Sequence, residues 1–342
     1  MPRRWLLPLI LCACGDSSGT SATTTGVTSV DPSSTGGETS QPPPTTGQPS
    51  TSSDSADASA TDVIKLDTPD GVTQGYETAS LDECPSVDIL FVIDNSGSMA
   101  DNQDSLIASF PGFVTGVQQK LAGAKSYHIG VVTSSPYGDN GACWDLGSLI
   151  TKTGGPESSK ATCGPFTSGG NYLDDTEPGL GGKFACIGKV GAGGDDDEKP
   201  IRSMLSALDP ALNAPGQCNA GFARPDSLLV IVLITDEDDV ADGCTTPDEC
   251  MTYGSGGEPE DWYAELLSYR GGIDDNIVVL SLLGRKLDNP CAAVPASHLM
   301  KFTNMFDERG HLGDVCAGDY APFFAEALPI IGDACVNWVP PQ

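Results

Sequence analysis

Residues 228–235 read LLVIVLIT and run without a break into DEDD at 236–239. Large apolar side chains in unbroken series cannot alternate between a core and water. The segment is expected to be a strand covered on both faces, as in a parallel sheet. A second run, VDILFVI at 87–93, ends the same way, at Asp94. Two such strands restrict the fold strongly, and each delivers an aspartate to the carboxyl edge, where open parallel sheets bind ligands.

Strands buried on both faces need helices on each side. After the first run, Leu106, Ile107, Phe110, Phe113, Val114, Val117 and Leu121 recur at helical spacing, with Pro111 expected to kink or break the helix. YHIGVVTSS (127–135) and NIVVLSLLG (276–284) read as further strands, and helices are expected over 198–208, about 258–270 and within 320–336. The alternation predicts an α/β fold: a doubly wound, mostly parallel central sheet with helices on both faces. Residues 136–190 are Gly-rich and carry three cysteines, with LGSLITK (146–152) the one weak strand candidate. They read as a disulfide-stapled insertion holding an edge strand.

The remainder of the chain is of a different kind. Residues 15–75 are dominated by Ser, Thr, Gly and Pro and bury too little to offset chain entropy, so they are expected to be a disordered tether before a folded unit at 76–342. A formal charge of −30 excludes nucleic acid as a partner, since that binding depends on Lys and Arg neutralising phosphate. The first residues, MPRRWLLPLILCACG, have a basic start and an apolar run far shorter than the roughly 20 residues that span a bilayer. The small residues before Cys14 resemble the lipobox of bacterial lipoproteins. Residues 1–14 then form a signal peptide ending at a lipidated Cys14; an ordinary secretory signal is the alternative.

Setting aside Cys12 and Cys14 leaves ten of the twelve cysteines, an even number that implies disulfides in an oxidising compartment. Cys84 and Cys335 are expected to clasp the ends of the folded unit, and Cys244 and Cys250 to close a short loop. No CxxC or His-paired spacing points to zinc.

Asp94, Ser96 and Ser98 stand two apart in a turn containing Gly97. Their oxygens can converge on one side, and a carboxylate from a neighbouring strand end, Asp236, would complete a set suited to a hard divalent cation. A cation also accounts for acids gathered where they would otherwise repel.

The order strand, D-x-S-x-S, helix, then a later apolar strand ending in Thr-Asp, resembles the von Willebrand factor type A domain with its metal-ion-dependent adhesion site. DNSGSM (94–99) carries the first motif and ITDEDD (234–239) the second. The resemblance implies Mg²⁺ first, with Ca²⁺ or Mn²⁺ as alternatives, and a protein partner whose acidic side chain completes the coordination. The family's third motif is a loop threonine, and GAGGDDDEKPIRSM (191–204) has none. Counting back from Ile201 places Asp195 there, with Asp196 or Asp197 as alternatives. A carboxylate in that place would hold metal more firmly, admit Ca²⁺ and capture acidic ligands less readily. Acids before a helix can equally cap its N-terminus.

The expected product is therefore a lipid-anchored protein-binding module at the cell surface or periplasmic face, and not an enzyme. A metal-dependent hydrolase is the weaker alternative: the place of the second acid in a D-x-D phosphatase holds Ser96, and no G-x-S-x-G elbow surrounds that serine. A metal-independent structural lipoprotein is the other alternative. Beyond Asp236 the acids of 237–243 are expected to be solvated, and Trp144, Trp262 and Trp338 to be packing residues.

Overall fold

The computed structural model describes residues 86–121, 124–239 and 253–341. The apolar runs form the centre of a six-stranded sheet of order β3-β2-β1-β4-β5-β6. Its strands are β1 (Ser86–Ile93), β2 (Tyr127–Thr133), β3 (Leu173–Asp174), β4 (Ser227–Thr235), β5 (Ile277–Leu283) and β6 (Gly310–Asp314). All pairings are parallel except β2 with the edge strand β3. Ile93 lies beside both Thr133 and Ile234, so β1, β2 and β4 end at one level. That register brings the residues after each strand to one place.

Helices cover both faces. On one, α1 (Ala100–Lys120), α2 (Leu180–Gly188) and α7 (Ala321–Val336) pack against Ile89, Phe91, Val230 and Val232. On the other, α3 (Pro200–Leu208), α5 (Pro259–Ser268) and α6 (Ser297–Asn304) pack against Leu90, Val92, Ile231 and Leu233. A short helix, α4 (Pro210–Asn213), follows α3. The alternate residues of β1 from Ile89 to Ile93 thus enter two separate cores, as an apolar run on both faces requires.

Several expectations are corrected. α1 continues through Pro111, which sits inside it. The edge strand is Leu173–Asp174 and not 146–152; the latter segment gives β2 one hydrogen bond, Ile150 N–H to Val131 O at 2.9 Å, and one bridge, Lys152 to Thr162. The 136–190 segment is stapled internally by Cys163–Cys186, as expected, and also joins the core. Its helix α2 places Phe184 between Phe91 and Phe110, with ring centroids at 4.8 and 3.3 Å.

Disulfides join Cys143 to Cys218, Cys163 to Cys186 and Cys291 to Cys316, the mark of a chain matured in an oxidising, exported setting. Cys335 is disulfide-bonded as well. Cys84, expected as its partner, lies outside the described residues, as do Cys244, Cys250, the lipobox Cys14 and the 15–75 tether. Among the described residues no helix is long and apolar enough to cross a membrane.

Candidate functional site

The site grows from the end of β1. Asp94 N–H donates to Ile234 O at 2.9 Å, extending the β1–β4 ladder by one residue and holding the aspartate against β4. Its Oδ1 accepts from Ser96 N–H at 2.8 Å and from Ser134 Oγ at 3.2 Å, and its Oδ2 accepts from Thr235 Oγ1 at 2.7 Å. Gln103 of α1 is fully buried below it and donates to Asp94 O at 2.9 Å. The turn that follows brings the Ser96 and Ser98 hydroxyls within 3.2 Å of each other. Ser98 also faces the Asp236 carboxylate at the end of β4. The four residues read from the two strand ends therefore meet at one edge of the sheet.

Asp195 lies in the loop beside them, its N–H donating to Ser135 Oγ at 3.4 Å. It is exposed, as is Asp196, while Asp197 pairs with Lys199 and accepts from Gly254 N–H at 2.7 Å. The residue of this loop that reaches the site is Glu198. It is 4% exposed and faces Asp94, Ser96 and Glu237. The loop lies so close that a Cβ on Gly194 would sit 2.7 Å from Asn95 O, and Gly194 N–H donates to that oxygen at 2.7 Å. Lys199 N–H donates to Ser134 O at 2.9 Å, and Gln103 exchanges two hydrogen bonds with Gly191. These contacts fix both flanks of Glu198.

Electrostatics distinguish the group. Burial raises the Asp94 pKa to about 6, against the pull of Ser96 N–H and the Thr235 hydroxyl, with Asp236 adding repulsion. Burial, then Asp94 and Glu237, push Glu198 up to about 10. Burial also raises Asp236, with Ser98 opposing. Both Glu198 carboxylate oxygens and Asp236 Oδ1 are buried without a hydrogen bond of good geometry, although Ser96 and Glu237 lie close to Glu198 and Ser98 lies close to Asp236. Unpartnered buried carboxyl oxygens are costly unless something else meets them.

These orphaned atoms, beside the Ser96 and Ser98 hydroxyls, are all hard oxygen donors and fit Mg²⁺ or Ca²⁺. Among the described residues no three His, Cys, Asp or Glu side chains stand close enough to hold a metal by themselves. A metal there would need hydroxyl as well as carboxylate donors.

Two other acids of 236–239 are structural, against the expectation of a solvated loop. Asp238 caps α6, accepting from His298 and Leu299 N–H and pairing with His298 Nδ1 at 2.9 Å. Asp239 is fully buried, accepts from Ile201 N–H at 2.7 Å and from Ser255, and is raised by burial to about 7. Trp262 is buried as expected, and Trp338 packs against the core, but Trp144 is 52% exposed.

No family model matches the chain, and no curated protein matches its sequence. Among solved structures, the chain is similar to proximal thread matrix protein 1 from the mussel byssus, at 12% identity and a TM-score of 0.39. The match covers 72% of this chain and 49% of that one, so the chain spans about half the length of that structure.

Proposed function

We propose that residues 86–341 form a von Willebrand factor type A domain that holds a divalent cation at Asp94, Ser96, Ser98 and Asp236 and binds a protein partner at that edge. The observation that carries this reading is the orphaned Asp236 Oδ1, buried beside the Ser96 and Ser98 hydroxyls and the Asp94 carboxyl. A sheet whose only antiparallel member among the described strands is the edge strand β3, with helices on both faces, supports it. The bound ion would supply a positive centre for an acidic side chain of the partner; the chain's own residues fix the ligands and keep Asp94 dry. The lipobox-like start and the disulfides support an exported lipoprotein that carries this domain on its tether.

Calorimetry with Mg²⁺, Ca²⁺ and Mn²⁺ on the wild type and on Asp236→Asn tests the site; equal cation binding by the two removes Asp236 from it. A pull-down from the native surface with cation, then with chelator, tests the partner. Retention of the same partner in chelator would sink the bridging role. Loss of membrane retention in Cys14→Ser tests the anchor.

A further inference from the structure

The two ends of β5 carry complementary features that the cation site does not use. Beyond its carboxyl end the chain turns through Arg285, Lys286 and Leu287, all exposed, with Leu287 86% exposed. A single exposed leucine is ordinary, but this one stands on a rigid base. The Asn289 side chain donates to Lys286 O and Ala293 O and accepts from the Cys291 and Ala293 N–H groups. The Cys291–Cys316 disulfide and a bond from Val294 N–H to Asp236 O at 2.7 Å fix the return of the loop. Adjacent cations are also uncommon in a chain with 17 basic and 47 acidic residues. Before the amino end of β5 lies a pocket of about 180 Å³. Ile330 and Ala334 of α7 give it an apolar lining; Asp275, Glu308 and Asp333 give it an acidic one, in which Asp275 already pairs with Arg309. Val336 and Val339 flank the lining Asn337 in sequence and are exposed. Three of the five exposed large apolar side chains among the described residues thus belong to one or other of these features.

We propose that the Arg285–Leu287 loop of one copy docks in this pocket on a second copy, so that chains associate head to tail. Leu287 enters against Ile330 and Ala334, and Arg285 and Lys286 face Glu308 and Asp333, an apolar centre within a charged rim. The seven residues of β5, at about 3.3 Å each, hold loop and pocket about 20 Å apart at opposite edges of the sheet, so no copy can fill its own pocket. Such a contact is heterologous: each added copy offers a fresh loop and a fresh pocket. Net charge opposes the approach of two copies, each at −30. At about 0.15 M salt the Debye length is about 8 Å, which screens that repulsion more than the close pairs of the rim. The contact does not depend on the cation site.

The test follows the mass of the full chain by sedimentation velocity across protein concentration, in chelator, with circular dichroism as the check on folding. The chain carries Cys14→Ser so that no lipid drives assembly. This parent is expected to give masses that climb past a dimer with concentration, and more so at about 0.15 M than at about 0.01 M salt. Leu287→Asp removes the docking side chain, and Glu308→Lys with Asp333→Lys reverses the pocket; all three positions are exposed. Each variant is expected to self-associate about ten- to a hundredfold more weakly. Mixed in equal amounts, the two should form a one-to-one dimer and stop there, because one intact loop meets one intact pocket. A parent that stays monomeric, a parent dimer that never extends, or variants that associate as the parent does would each overturn the proposal. Binding of the parent to anionic vesicles, lost in Leu287→Asp and without self-association, would assign the loop to a membrane instead.

Discussion

Asp88 and Asp94 stand at opposite ends of the first strand, both fully buried, and their surroundings assign them opposite work. Asp88 accepts from Arg224 N–H at 2.7 Å, Arg224 Nε at 2.8 Å and Ser227 Oγ at 2.6 Å, and lies near Arg270. Removing one partner of a buried ion pair strands the other, so Asp88→Ala is expected to cost about 3–5 kcal/mol of stability. Urea unfolding measures that loss, and calorimetry should show unchanged cation affinity in the variant. Thr235→Val should do the reverse. It keeps the volume but removes the hydroxyl that orients Asp94 Oδ2, so cation affinity should fall about tenfold or more. The cost in stability should stay near 1–3 kcal/mol. Equal cation affinity in wild type and Thr235→Val would mean that the hydroxyl does not set the carboxyl's position. The contrast also shows what a sequence can reveal at this scale. Asp94, Ser96, Ser98 and Asp236 are legible because each follows directly from a strand end and a short turn. Glu198 is not, because long-range contacts from Gln103, Asn95 and Ser134 set where its loop lies, and counting back from Ile201 cannot supply them.

The same division holds for the elements. β1, β2, β4 and β5 declare themselves through largely apolar runs, unbroken from Leu228 to Ile234 in β4, that suit a doubly covered strand. β3 has two residues and the five residues of β6 are all half-buried, so neither carries an apolar signature. α2 was hidden for another reason. Its sequence, LGGKFACIG, is poor in helix formers, and tertiary packing and the Cys163–Cys186 bond hold it in place. Phe184 stacks on Phe110 and meets Phe91 edge-on, so the helix is part of the main core. Phe184→Ala is expected to cost about 3–5 kcal/mol, the range for a large aromatic removed from a core. Denaturant unfolding checks this. A loss below about 1 kcal/mol would mean that α2 contributes little to the core.

At the scale of the molecule, the buried acids couple stability to pH and, at the proposed site, to a cation. Asp94, Asp239 and Glu198 have folded pKa values raised to about 6, 7 and 10, and Asp236 is raised too. In the unfolded chain all four titrate near 4. Between those limits the folded state binds more protons than the unfolded one, so stability falls as pH rises. The contribution is fully present below about pH 4 and is lost through pH 6–7 for Asp94 and Asp239, and at higher pH for Glu198. In chelator, the urea midpoint is therefore expected to drop steadily from about pH 4.5 to 8. The formal charge of −30 pushes the same way through long-range repulsion, but the two causes separate with salt. At about 1 M NaCl the Debye length is about 3 Å, which screens surface charges and leaves buried desolvation intact. A slope that survives high salt belongs to the buried acids, and Asp239→Asn should remove its own share of that slope. If the proposed site binds Ca²⁺, added Ca²⁺ should reverse the trend, because an ion held by the ionised carboxylates of the folded state stabilises it by mass action once it exceeds its dissociation constant. A midpoint that falls with pH equally in Ca²⁺ and in chelator would mean that these acids are buried for packing alone.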